Sequence, residues 1–92
     1  MQKKQQSDLK KKSEPTVVER RLGKHNADGL YWEQQNVIEI HPDLDAKNEI
    51  YVTCHEYNHY LHPDWTEKQV IKYSTKMAKF LWKQGYRKVK NK

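Results

Sequence analysis

The chain has little that would cross-link it or hold it in a membrane. Its 92 residues include a single cysteine, Cys54, which excludes an internal disulfide and fits a reducing compartment. No apolar run approaches the roughly 18 residues that a membrane-spanning helix needs. No apolar stretch follows the basic N-terminus, so we expect no secretory signal, no membrane partner and a cytoplasmic location.

Apolar residues are also scarce, at 35% of the chain against 33% charged residues. A chain of this length makes one domain near the small end for an independent core. Three Trp and six Tyr compensate in part, because aromatic side chains bury a large area each. A bound metal would add its binding free energy to folding.

The net charge of +6 comes from the two ends of the chain. Residues 1–12 hold five Lys and one Asp, residues 83–92 hold four Lys and one Arg, and the segment between them is net negative. Such ends are usually solvated, although they could contact nucleic acid weakly through its phosphates. We therefore interpret residues 1–15 as a disordered basic tail, 16–89 as a single domain and 90–92 as a basic end.

Three short strands are predicted in the first half of the domain. Residues 16–22 begin with β-branched side chains, and residues 30–33 and 37–40 are apolar and aromatic segments between turn signals. Short strands with short connections suggest a small antiparallel sheet.

Two helices are predicted to follow. Residues 46–61 have apolar side chains at helical spacing, with Asp43 or Asp45 as the cap and Pro63 just beyond the end. In the second helix Val70, Ser74, Met77 and Leu81 share one face, and Gly85 follows as a stop signal. The expected fold class is α+β, with the sheet packed against both helices.

The first of these helices contains the motif H-E-x-x-H, at His55-Glu56-Tyr57-Asn58-His59. Residues four apart lie on one helical face, so both imidazoles can bind one zinc ion. Zinc can lower the pKa of a bound water to about 7, and a neighbouring carboxylate such as Glu56 can take its proton. This combination is suited to the hydrolysis of a peptide bond. The plainer interpretation is a pair of surface histidines beside an ordinary surface glutamate.

Catalytic zinc sites usually have three protein ligands, and the downstream candidates for the third are His62, Asp64 and Glu67. We favour Glu67, which faces the histidines if the second helix folds back on the first. In the alternative, Asp64 caps the second helix and Glu67 completes a capping box. If Thr66 caps instead, with Gln69 as its partner, Glu67 is free to bind the metal.

The remaining candidates have simpler interpretations. His25 and His41 are loop histidines without a helical spacing to support them as ligands. Cys54 adjoins the motif, but its spacing from Ile50 and Leu61 indicates a small buried hydrophobe.

In this order of elements and motifs the chain resembles the zincin metallopeptidases, and it is most similar to the minigluzincins and to small zincin-like proteins of phages and prophages. The likeness runs from about Gly29 to Val89. It implies zinc held by His55, His59 and Glu67, with Glu56 as general base and acid.

The resemblance also implies how a substrate would be held. The strand Val37–Ile40 would be the sheet edge that binds an extended peptide, and Tyr57, Tyr60 or Tyr86 could steady the oxyanion. The expected partner is a peptide or protein substrate, and the expected state is a monomer. For a phage-encoded protein the location would be the host cytoplasm.

Two other functions fit the same residues. One is a non-catalytic zinc protein that grips a partner through its sheet edge. The other is a small nucleic-acid-binding protein that uses its basic tails, which the acidic middle of the chain argues against.

Overall fold

The computed structural model describes residues 13–21 and 27–89 and has the predicted α+β arrangement. Three strands, β1 (Thr16–Glu19), β2 (Gly29–Trp32) and β3 (Val37–Ile40), precede two helices, α1 (Ala46–Leu61) and α2 (Glu67–Lys83). Helix α1 packs against β2 and β3 and also against α2. Most of the predicted N-terminal tail, residues 90–92, Leu22 of the first predicted strand and His25 lie outside the described residues.

The prediction of an antiparallel sheet is wrong for one of its two strand pairs. The spatial order is β1-β3-β2, in which β2 pairs antiparallel to β3 but β1 pairs parallel to it. The tight turn of residues 33–36 makes the antiparallel hairpin, and Asn36 adopts a left-handed conformation with φ of 58°. The longer connection between β1 and β2 lets β3, the most apolar strand, occupy the centre of the sheet.

The helix boundaries follow from local chemistry. The Asp45 side chain accepts a hydrogen bond of 2.8 Å from the Asn48 amide, so Asp45 is the cap of α1. Helix α1 ends at Leu61, and His62 leaves the helical region with φ of −129° because Pro63 follows it. The predicted bounds of 46–61 are confirmed.

The main core lies between the sheet and α1. Ile38 and Ile40 point to the same face of β3 because they are two residues apart, and both are fully buried against Val52 of α1. Four partly buried side chains pack around them: Tyr31, Leu44, Tyr51 and Tyr57.

A second, smaller interface joins α1 to α2. Val70 and Ala78 are its buried apolar residues on α2. Between them Ser74 accepts a hydrogen bond of 2.9 Å from the Asn58 side-chain amide of α1, and both of these side chains are buried. Such a pair fixes the register of the two helices, since a buried polar group without a partner is costly. Among the described helices none is long and apolar enough to cross a bilayer.

Gly29 begins β2 and brings this strand very close to α1. A methyl group on its Cα would overlap Val52 Cγ1, and it would lie 3.3 Å from Glu56 Cγ. Only glycine allows this approach without displacing helix side chains. The residue therefore sets the distance between the sheet and the helix that carries the H-E-x-x-H motif.

We expect Gly29→Ala to lower the free energy of unfolding by about 1–3 kcal/mol, because the added methyl overpacks the core. Urea unfolding followed by circular dichroism measures this. Val52→Ala is destabilising by itself, but it removes the atom with which the new methyl collides. The double variant should therefore lose less stability than the sum of the two single variants, and strictly additive losses would contradict the overlap.

Candidate metal centre

The two histidines of the motif lie side by side on one face of α1. They are four residues apart, and their ring centroids are 5.0 Å from each other. His55 is mostly buried, whereas His59 is about one-third exposed. The helical spacing alone brings these two imidazoles together, as predicted.

Glu67 reaches both histidines from the start of α2. Its carboxylate oxygens lie 3.1 Å from His55 Nε2 and 3.0 Å from His59 Nε2. The cap of α2 is Thr66, whose hydroxyl accepts a bond of 3.1 Å from the Gln69 amide while Gln69 Oε1 accepts one of 2.9 Å from the Thr66 amide. The alternative with Asp64 as the cap is therefore wrong, and the capping does not occupy the Glu67 carboxylate.

His55, His59 and Glu67 could hold a metal ion. One ligand atom from each lies within 4.8 Å of the other two, and no other such trio occurs in residues 13–21 and 27–89. Ligand atoms around one tetrahedral zinc are roughly 3.3 Å apart, so only a small adjustment is needed. His55 and His59 belong to α1 and Glu67 belongs to α2. The turn between the two helices therefore determines whether the three side chains meet.

The other predicted candidates lie elsewhere. The His62 ring stacks on Trp65 with a centroid distance of 3.7 Å and an interplanar angle of 10°. Asp64 lies in the turn and is not part of the trio. His41 Nδ1 accepts a hydrogen bond of 3.1 Å from the Asp43 amide, so this histidine stabilises its own loop.

Tyr51 contacts the site and was not among the predicted residues. Its hydroxyl lies 3.0 Å from His55 Nδ1, on the ring edge opposite the Nε2 that faces Glu67. If Nε2 binds a metal, Nδ1 carries the proton and donates it to the Tyr51 oxygen, which fixes the tautomer and orientation of the ring. The sequence does indicate this contact, because Tyr51 precedes His55 by four residues and therefore lies on the same helical face.

Burial and charge shift the pKa values in this cluster. Burial lowers the pKa of His55, although the Glu67 carboxylate acts in the opposite direction. Glu56 is only 9% exposed, and burial, followed by the charge of Glu67, raises the pKa of its carboxyl to about 7. A hydrogen bond from the backbone of Tyr31 in β2 partly offsets that rise.

An open cleft of about 770 Å³ runs past these residues. Gly29, Leu30 and Tyr31 of β2 form one wall, while α1 and the start of α2 form the other. The walls from the helices contain His55, Glu56, His59, Tyr60 and Glu67.

Of the three tyrosines considered for the oxyanion, only Tyr60 lines the cleft. Tyr57 instead donates a hydrogen bond of 3.0 Å to Glu14, and Tyr86 is 63% exposed beyond the end of α2.

Comparison of the chain with protein-family models, with curated proteins and with solved structures finds no match.

We expect the purified, untagged protein to hold about one zinc per chain after dialysis, and His59→Ala to lose it. Elemental analysis measures the metal, and circular dichroism checks that each variant folds. His62→Ala is the matched control, since it removes an imidazole three residues away that stacks on Trp65. Equal loss from both variants would contradict the assignment of ligands, as would a folded wild type that takes up no zinc.

Proposed function

We propose that this protein is a zinc-dependent metallopeptidase that hydrolyses peptide bonds, with His55, His59 and Glu67 as the metal ligands and Glu56 as the general base. The proposal includes a peptide or protein substrate, a monomeric state and a cytoplasmic location. The observation that carries it is the convergence of the Glu67 carboxylate on both histidines of a helical H-E-x-x-H motif, within an open cleft.

The donor set suits zinc. Two imidazole nitrogens and one carboxylate are ligands that zinc accepts, and three protein ligands leave a coordination position for the reaction. The cleft gives a substrate access to this side of the trio. Bound zinc would supply Lewis-acid activation of water and polarisation of the scissile carbonyl.

The position of Glu56 supports the proposed role of general base. It follows His55 directly in sequence, and its side chain lies between α1 and β2 at the wall of the cleft. The Tyr31 backbone holds this carboxylate in position, and a carboxylate can accept further hydrogen bonds beyond that one. Glu56 would take a proton from the attacking water and deliver it to the leaving amine.

The substrate would lie along β2. The predicted substrate-binding edge, Val37–Ile40, is wrong because β3 lies at the centre of the sheet with its neighbours on both sides. Among the described strands β2 pairs only with β3, and its residues Gly29, Leu30 and Tyr31 line the cleft. An extended peptide could add to this edge by backbone hydrogen bonds, with its scissile bond next to the histidines.

One observation favours a second candidate, a zinc protein without catalytic activity. The hydrogen bond between Glu56 and the Tyr31 backbone also ties α1 to β2, which is a structural role for a buried carboxylate. In that case the edge of β2 would bind a partner protein without cleaving it. Substitution of Glu56 distinguishes the two functions.

We expect Glu56→Gln to retain zinc and to lower kcat/KM by about 10²–10⁴-fold, the usual contribution of a general base. The amide preserves the volume and an acceptor for the Tyr31 backbone but cannot take the proton. Cleavage of a quenched fluorescent peptide library, with zinc content measured in parallel, tests this. Asp64→Asn removes a carboxylate outside the cleft and should cleave like the wild type. Unchanged turnover in Glu56→Gln would exclude the peptidase mechanism.

Tyr51→Phe should weaken zinc binding by about 10–100-fold, because His55 loses the acceptor for its Nδ1 proton. Competition with a chromophoric chelator measures the affinity. The control is Tyr86→Phe, which removes a hydroxyl from an exposed ring outside the cleft. If both variants bind zinc as tightly as the wild type, Tyr51 does not orient the ligand.

A further inference from the structure

Helix α2 carries a continuous stripe of positive charge on its solvent side. The lysine stripe consists of five exposed residues spaced three or four apart: Lys68, Lys72, Lys76, Lys79 and Lys83. It lies away from the buried positions of α2 and extends for about 22 Å at 1.5 Å per residue. None of these lysines forms an ion pair with any residue of the described segments.

No acidic side chain on α2 neutralises this stripe. Glu67 is the single acidic residue of the helix, and its carboxylate is engaged with His55 and His59. Among the other described basic residues, Arg20, Arg21 and Lys88 are paired with carboxylates, whereas Lys47 and Arg87 lie over the Trp82 ring. Of the described basic side chains without a carboxylate partner, five are therefore aligned on one face of α2.

Two exposed aromatic side chains border the lysine stripe. Tyr73 is 38% exposed and Phe80 is 61% exposed, and they lie on the same flank because they are seven residues apart. The Lys72 ammonium lies 5.5 Å from the centroid of the Tyr73 ring, so the cationic and aromatic surfaces adjoin. Burying these rings against a ligand would remove apolar surface that the fold leaves in water.

We propose that the lysine stripe, together with Tyr73 and Phe80, binds single-stranded nucleic acid without sequence preference. Lysines attract phosphates as point charges, and neighbouring aromatic rings stack with unpaired bases. This charge complementarity selects a polyanion. The aromatic flank favours unpaired bases over a duplex, whose bases are already stacked. The proposal does not depend on the peptidase function, since it uses the outer face of α2.

The packing of α2 argues against a lipid surface as the partner. An amphipathic helix binds a bilayer by inserting its apolar face. In α2 that face includes Val70 and Ala78, which are buried in the interface with α1.

Fluorescence anisotropy of a labelled oligothymidine, titrated with the full chain at several salt concentrations, tests the proposal. We expect salt-dependent binding that Lys72→Gln/Lys76→Gln/Lys79→Gln weakens by about tenfold or more at low salt. The slope of log K against log salt should fall in magnitude by about 2, since each phosphate contact on a single strand contributes roughly 0.7.

The matched control is Lys10→Gln/Lys11→Gln/Lys12→Gln, which removes the same charge from the N-terminal basic segment. If this variant loses as much affinity as the α2 variant, net charge alone drives binding and the proposal fails. Phe80→Ala should weaken binding to oligothymidine more than Ile71→Ala, which removes an exposed aliphatic side chain from the other flank of the stripe. No oligothymidine binding, with lysine-dependent binding to phosphatidylserine vesicles, would overturn the proposal in favour of a membrane.

Discussion

Packing on two sides of α1 is the constraint on which the rest of the structure depends. This helix buries residues against the sheet and against α2, so three of its polar side chains are buried: Glu49, Glu56 and Asn58. A buried polar group must find a partner, and Asn58 finds Ser74 of α2 while Glu56 finds the backbone of β2. These two bonds tie the other layers to the helix that carries the motif.

The candidate site forms where the layers meet. Gly29 lets β2 approach α1 closely enough for the Tyr31 backbone to bond Glu56, while the turn after α1 brings Glu67 back over the histidines. A thin core of this kind has few apolar contacts to hold such a geometry. The polar bonds between α1 and its neighbours, and a metal ion if one binds, would therefore contribute to folding as well as to the site.

Three faces of helix α2 have different roles. Its buried stripe of Val70, Ser74 and Ala78 packs on α1, its first residue turns a carboxylate towards the histidines, and its lysines face solvent. One short helix can do this because successive residues point in directions about 100° apart. The net negative charge of residues 13–82 conceals this pattern, because acidic residues elsewhere in that segment outnumber the lysines of the helix.

The sequence by itself determined what depends on near neighbours in the chain. Helical spacing placed His55 beside His59, and Pro63 ended the first helix. The sequence narrowed each helix cap to two candidates, and the structure selected Asp45 and Thr66. The contact between Tyr51 and His55 follows from the same spacing of four residues. Only the tertiary structure decided the sheet order, the position of β2 at one edge of the described strands and the meeting of Glu67 with the histidines. These features depend on which surfaces pack together, because several arrangements of three short strands satisfy the same local preferences. The observed arrangement buries Ile38 and Ile40 at the centre.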